Sequence, residues 1–286
     1  MTVRVPWHIE PGPDDEGYAK ALGDSMAKSV RWLEESPGMF NSALGKAVMR
    51  VQARSSVDPV AGYLETWESV VCAMQVGSAM FAAASRTEGT VQCRIDYEVR
   101  TIPATGAQDY TDPGNWLTAF WFAIICRERA RMTALCEIPL NLLWSSGGQY
   151  DEYIYHWVDA LQTYWLKRPG LVDKLVAAIE GSYPQAATIT PPDLLQNILY
   201  QPINLFHRFV RKDEAGFNQA LVEALELHKQ YWTADEERAG RIEGTIALGP
   251  LAIACLAYDG EIPIEVESEY LPKALLQRDW IGEYDT

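Results

Sequence analysis

The chain lacks the short patterns by which many catalytic sites are recognised. It has no glycine-rich phosphate loop, no HExxH zinc motif, no GxSxG nucleophile elbow and no EF-hand loop. Its five cysteines are odd in number and scattered, with no CxxC pair and no histidine at zinc-ligand spacing. These absences predict a non-enzymatic protein without a metal or cofactor, located in the reducing cytoplasm.

Long apolar runs are also missing. The most apolar windows, residues 116–126 and 245–258, fall short of the roughly 20 residues that a membrane-spanning helix needs. Residues 1–17 contain no continuous apolar segment of the kind found in secretory signals. We therefore expect no membrane association, and we expect both windows to be buried helices.

Basic residues are outnumbered, and most of the imbalance lies near the C-terminus. The net charge is −15, and residues 213–286 hold sixteen acids against five bases. Such a surface repels nucleic acid and favours a basic partner, although acidic residues can also serve only to keep a face solvated. The acidic strip, defined as Glu261, Glu265, Glu267 and Glu269, is our first candidate for a contact surface that steers a partner.

Helical periodicity is present along nearly the whole chain. Short Pro/Gly-containing interruptions separate amphipathic segments, a pattern typical of antiparallel helix hairpins. The sequence predicts an all-α fold in a curved, repeat-like array, with an extended N-terminal arm over residues 1–16 and a single domain over residues 17–286. Helix starts are predicted at Asp58 and Asp112, each followed by proline, and at Thr233 in a capping box.

One segment departs from this pattern. From Val91 to Val99, apolar and polar residues alternate, and this period of two predicts a strand or short hairpin near residues 89–102. The odd-numbered residues, including Cys93, Ile95 and Tyr97, are expected to form its buried face.

Residues 150–165 form the most aromatic helical segment. A helical period places eight large side chains on one face, expected to be core: Tyr150, Tyr153, Ile154, Trp157, Val158, Leu161, Tyr164 and Trp165. The opposite side is predicted to meet water or a partner. Its polar residues Glu152, Tyr155, His156 and Asp159 are our second candidate contact surface, because the tyrosine stands among acids and the histidine is within helical reach of both carboxylates.

Two other functions remain open from the residues alone. The ten tryptophans and fourteen tyrosines could line a cavity for a small molecule or an enzyme's substrate, with Tyr200, His207 and Arg208 as its first polar candidates. A general helical-repeat scaffold with several partners is the other alternative. His228, close to Glu223 and Glu226 on one helix, is expected to be an ordinary surface residue.

Residues 152–175 read EYIYHWVDALQTYWLKRPGLVDKL, and residues 64–81 read LETWESVVCAMQVGSAMF. Together with residues 112–140 and 244–277, these runs resemble the immunity 49 family of bacterial polymorphic-toxin systems. The resemblance implies a cytoplasmic all-α protein that neutralises a toxin encoded beside it, and it carries over no catalytic residue. We therefore expect direct binding to a cognate toxin domain and occlusion of its active site. The acidity of the C-terminal part adds a basic nuclease as a candidate partner.

Overall fold

The computed structural model describes residues 2–284 and residue 286. The fold is 60% helical, and within these residues the only sheets are two pairs of short strands. The predicted all-α class is therefore confirmed.

The elements follow one another along the chain with short connections. The helices are α1 (Asp15–Trp32), α2 (Phe40–Val57), α3 (Leu64–Ala84), α4 (Pro113–Ile125), α5 (Arg129–Cys136), α6 (Leu140–Trp144), α7 (Tyr153–Trp165), α8 (Leu171–Gly181), α9 (Pro192–Leu194), α10 (Gln201–Val210), α11 (Glu214–Trp232), α12 (Glu236–Ala239), α13 (Leu248–Asp259) and α14 (Lys273–Leu276). A π-helical turn, Leu195–Leu199, joins α9 to α10. The strands are β1 (Val3–Arg4), β2 (Thr90–Ile95), β3 (Glu98–Pro103) and β4 (Val266–Glu267).

Successive helices pack against each other, as the short connections predict. Helix α2 lies against both α1 and α3, α3 against α4, α7 against α8, and α10 against α11. Helix α13 adds contacts between distant parts of the chain, because it packs against both α4 and α10. The core between these layers contains the fully buried rings of Trp67, Trp116, Trp157 and Phe206.

The predicted helix starts are correct at one position and displaced at two. Asp112 caps α4 by accepting a hydrogen bond from the Asn115 N–H at 2.8 Å. The Asp58 carboxylate instead accepts from the N–H groups of Gly62 and Tyr63, which holds a loop, so α3 begins only at Leu64. Helix α12 is capped by Asp235 and not by Thr233, whose hydroxyl donates back to the Lys229 carbonyl.

Strands β2 and β3 form an antiparallel hairpin around Asp96 and Tyr97, which both have positive φ as in a type I′ turn. Val91 pairs with Ile102, and Ile95 pairs with Glu98. The side chains that face inward therefore belong to odd-numbered residues in β2 and to even-numbered residues in β3. Ile95 and Ile102 are accordingly buried. The prediction that Tyr97 and Val99 share this buried face is wrong, and both are exposed.

The N-terminal arm contains no helix in its described residues before Asp15. It is held at its start, where β1 pairs in parallel with β4 and Val3 lies opposite Val266. Val5, just after β1, is buried in the core. The arm therefore connects the beginning of the chain to the segment that carries the acidic strip.

One apolar window among the described residues, Ile242–Asp259, reaches the length and composition of a membrane span, with a mean hydropathy of 1.3 over 18 residues. This window is longer than the sequence-based estimate, yet α13 occupies only its last 12 residues. Since 61% of the window is buried inside the protein, its apolar character is also that of a core helix.

Candidate partner-binding surfaces

The acidic strip lies on the segment that follows α13 and includes β4. The backbone is extended here because the N–H groups of Val3 and Val5 donate to the carbonyls of Glu265 and Glu267, at 2.8 and 3.0 Å. In an extended strand neighbouring side chains point to opposite faces. Val266 therefore packs inward, whereas Glu265 and Glu267 are exposed, as is Glu261.

Glu269, the fourth residue of the acidic strip, has a different environment. Its carboxylate forms an ion pair with the Arg4 guanidinium, and only a quarter of its side chain is exposed. The other carboxylate oxygen, Oε2, is buried without a hydrogen-bond partner among the described residues. Glu269 thus ties the N-terminal arm to the strip, and the exposed acidic surface consists of the other three carboxylates.

A groove of about 260 Å³ runs beside the acidic strip. Its apolar border includes Val60, Tyr258 and Leu276. Its charged lining residues are two acids and two bases: Glu267, Glu269, Arg4 and Lys273. Val60 and Tyr258 are 52% and 38% exposed, which makes apolar area available next to the carboxylates. Apolar contacts at the centre with charges at the edge are the usual composition of a protein-binding surface.

The polar side of α7, our second candidate, is more covered than predicted. Glu152 and His156 are exposed, but the Asp159 carboxylate binds Lys174 Nζ of α8 at 2.7 Å. Tyr155 is only 3% exposed, because the Trp144 ring stacks on it with centroids 3.6 Å apart. The prediction that Tyr155 faces solvent is therefore wrong. The aromatic side of α7 is packed against the core as predicted, with Trp157 and Val158 fully buried.

The phenol of Tyr155 is buried with its oxygen unpartnered among the described residues. Burial raises the pKa of Tyr155, and the nearby Asp112 carboxylate adds to the effect. Tyr150, which meets Tyr155 edge to face at 6.5 Å, hydrogen-bonds that same carboxylate. Burial in turn raises the pKa of Asp112. These groups therefore form a semi-buried cluster beneath the polar side of α7.

An aromatic cavity does lie between the helices, but at another place than predicted. This aromatic pocket, of about 270 Å³, has its aromatic walls in Trp121, Tyr153, Trp157, His228 and Trp232. Tyr200, His207 and Arg208 are absent from its lining.

These three residues have other surroundings. Arg208 forms an ion pair with Asp213 at 3.0 Å on the outer side of α10. Burial lowers the pKa of His207, and the positive charges of Arg211 and Arg208 lower it further. Burial raises the pKa of Tyr200.

His228 is the pocket residue that the sequence interpretation placed at the surface. Its side chain is 5% exposed, and Nε2 lies 3.0 Å from the Gly244 carbonyl, which can only accept. The proton is therefore on Nε2. Burial lowers the pKa of His228 to about 4, so the ring is neutral at pH 7. The spacing in the sequence already indicates that His228 is buried, since it follows Leu221 and Leu225 at helical spacing on the buried face of α11.

In the part of the chain that the structure describes, the cysteines and acids give no indication of a metal centre. None of the five cysteines is paired, and burial raises the pKa of each one. The described residues contain no group of three or more His, Cys, Asp or Glu side chains placed to hold a metal ion.

The fold and its surfaces describe an all-α protein with three exposed carboxylates on its acidic strip, which borders a partly apolar groove. Its sequence matches the immunity protein 49 family over residues 58–275, which is most of the chain. The chain belongs to this family, whose members are immunity proteins of toxin systems. No curated protein and no solved structure matches it. The matched region includes α7, the aromatic walls of the pocket and the acidic strip.

Proposed function

We propose that this chain neutralises a cognate toxin by binding it directly and covering the toxin's active site, without catalysis of its own. The proposal is carried by the exposed position of Glu261, Glu265 and Glu267 on one segment, with Glu267 at the border of a partly apolar groove, in a chain of an immunity family. We place this activity in the cytoplasm of a bacterium that also encodes the toxin, and the unpaired cysteines support that location.

The partner's chemistry follows from charge. Three exposed carboxylates on one segment, in a region with a large acidic excess, attract a basic surface from a distance and speed its encounter. A nuclease fits this description, because a site that binds the phosphates of nucleic acid is rich in lysine and arginine. The apolar side chains of Val60 and Tyr258 then supply the area that excludes water once the partner has docked.

The proposal is tested by co-expressing the full chain with the toxin encoded beside it. The wild-type chain should restore growth and co-purify with the toxin as a stoichiometric complex. The triple variant Glu261→Lys, Glu265→Lys and Glu267→Lys should fold, because all three side chains are exposed, yet should fail to protect the cell.

A matched control carries the same change in charge at other sites. Glu35, Glu88 and Asp109 are exposed carboxylates after α1, after α3 and before α4, and their triple lysine variant should protect like the wild type. Circular dichroism should show the same melting temperature for both triple variants. Full protection and complex formation by the acidic-strip variant would place the interface elsewhere.

A further inference from the structure

We infer that the aromatic pocket is a binding site for a small, flat, uncharged molecule that carries both a hydrogen-bond acceptor and a hydrogen-bond donor. The pocket is distinct from the acidic strip, and the inference stands apart from toxin binding.

The walls are aromatic on more than one side. The Trp121 and Trp157 rings lie 6.1 Å apart between centroids, at an angle of 44°. The His228 and Trp232 rings of α11 lie 6.2 Å apart between centroids, tilted by 56°, and both belong to the same lining. Flat molecules gain most from such surroundings, because ring faces offer offset and edge-to-face contacts.

Two lining residues carry buried polar atoms that have no partner among the described residues. These atoms are Gln52 Oε1, an acceptor, and Trp232 Nε1, a donor. Most buried polar groups in proteins are hydrogen-bonded, and an unpartnered one is costly. Both atoms would be satisfied by a ligand that presents one N–H and one carbonyl or ring nitrogen.

A third unpartnered atom, His8 Nε2, lies in the same neighbourhood. A methyl group added to Gly244 would stand 3.0 Å from His8 Cε1 and 2.8 Å from Trp232 Cγ, so both rings press against this glycine. His8 is bound on its other side, where Nδ1 lies 2.6 Å from the Tyr270 hydroxyl. The unpartnered His8 Nε2 thus belongs to a ring that lies next to Trp232, although His8 itself is outside the pocket lining.

The charge of the lining excludes an anionic ligand. No lysine or arginine is among the described residues that line the pocket, and the exposed Glu243 is its one charged member. A negative group would thus lose its water without gaining a counter-charge. A volume of about 270 Å³ is at the small end for ligand sites, which suits a molecule with two fused rings.

The border of the pocket includes an irregular piece of helix. Asn197, Ile198 and Leu199 belong to the π-helical turn, in which the Tyr200 N–H donates to the Leu195 carbonyl at 2.9 Å. Single π-helical turns occur often at functional sites, since the inserted residue shifts the side chains that follow it. Here the turn directs the Ile198 and Leu199 side chains to the pocket border.

The experiment measures binding of quinazolin-4-one to the full chain by isothermal titration calorimetry. This neutral two-ring probe has one carbonyl, one acceptor ring nitrogen and one N–H. We expect saturable binding with a Kd below about 1 mM, as for a good ligand of this size. Naphthalene lacks hydrogen-bonding groups, and quinazolin-4-one-2-carboxylate carries a negative charge, so both should bind at least about fivefold more weakly.

Two substitutions test whether the probe occupies this pocket. Trp232→Phe keeps an aromatic ring but removes the N–H, and Gln52→Leu removes the carbonyl oxygen, so each should weaken binding about fivefold. Trp32→Phe is the matched control, because Trp32 is 58% exposed on α1 and outside the lining, and it should change nothing. Absence of saturable binding to the wild type would overturn the inference, as would equal affinity in all three variants.

Discussion

At the scale of single residues, His228 shows how spacing and local charge can give opposite expectations. The acids Glu223 and Glu226 suggested an exposed position, whereas the spacing from Phe217 through Leu221 and Leu225 leads to the core. The structure follows the spacing, because one helical face must be buried throughout its length. The position of His228 could therefore have been predicted.

The surroundings of Tyr155 could not have been predicted in the same way. Helical period correctly places it opposite Trp157, but Trp144, from a different helix, stacks on it. The periodicity of a helix predicts which of its own residues share a face. It does not predict that a side chain of another helix, here Trp144 of α6, will cover one of them. The sequence thus predicted which side of α7 is polar, but it did not predict that Trp144 covers Tyr155 on that side.

Burial of neutral His228 makes the protein sensitive to acid. The folded-state pKa of about 4 lies below the value of 6.5 for an unfolded chain, so the unfolded state binds more protons between these two pH values. Stability should therefore fall as the pH drops below about 6.5. We expect a loss of about 2 kcal/mol in the free energy of unfolding between pH 7.5 and pH 5 from this residue.

Urea denaturation at both pH values measures this loss, with His228→Gln as the comparison. Glutamine can keep a donor toward the Gly244 carbonyl but does not titrate. The variant should lose correspondingly less stability on acidification. An identical loss in wild type and variant would show that His228 does not carry the effect.

At the scale of elements, the hairpin of β2 and β3 shows what an alternating pattern can and cannot give. The alternation from Val91 to Val99 correctly located extended structure. It did not reveal the turn, because Asp96 and Tyr97 continue the alternation although their positive φ angles reverse the chain. The pairing of Cys93 with Arg100 then turns the even-numbered side chains of β3 inward.

Because even-numbered residues of β3 face the core and odd-numbered ones face solvent, substitutions at Ile102 and Val99 should differ in their effect on stability. Ile102→Lys places a charge at a buried position and should lower the free energy of unfolding by more than about 3 kcal/mol. Val99→Lys lies at a position that is 68% exposed and should change it by less than about 0.5 kcal/mol. Urea unfolding followed by circular dichroism separates the two. The reverse order of effects would mean that the odd-numbered residues of β3 face the core.

At the scale of the whole molecule, helical periodicity was sufficient to predict the all-α fold class, and sequence resemblance indicated the family. Long-range pairings were out of reach, because no local pattern connects Val3 to Val266 or brings α13 against α4 and α10. The acidic strip was visible as composition. Its extended backbone, and the separate role of Glu269 toward Arg4, became apparent only with these pairings in place.

Glu261, Glu265 and Glu267 are proposed to guide the toxin to this chain. The most direct measurement is the association rate constant with purified toxin, by stopped-flow fluorescence, from about 20 mM to about 300 mM salt. For the wild type and the Glu35/Glu88/Asp109 control we predict a rate that falls at least about tenfold over this range. The triple lysine variant of the acidic strip should bind at least about tenfold more slowly at low salt, with little salt dependence. A wild-type rate unaffected by salt, or equal rates for wild type and acidic-strip variant, would contradict the claim.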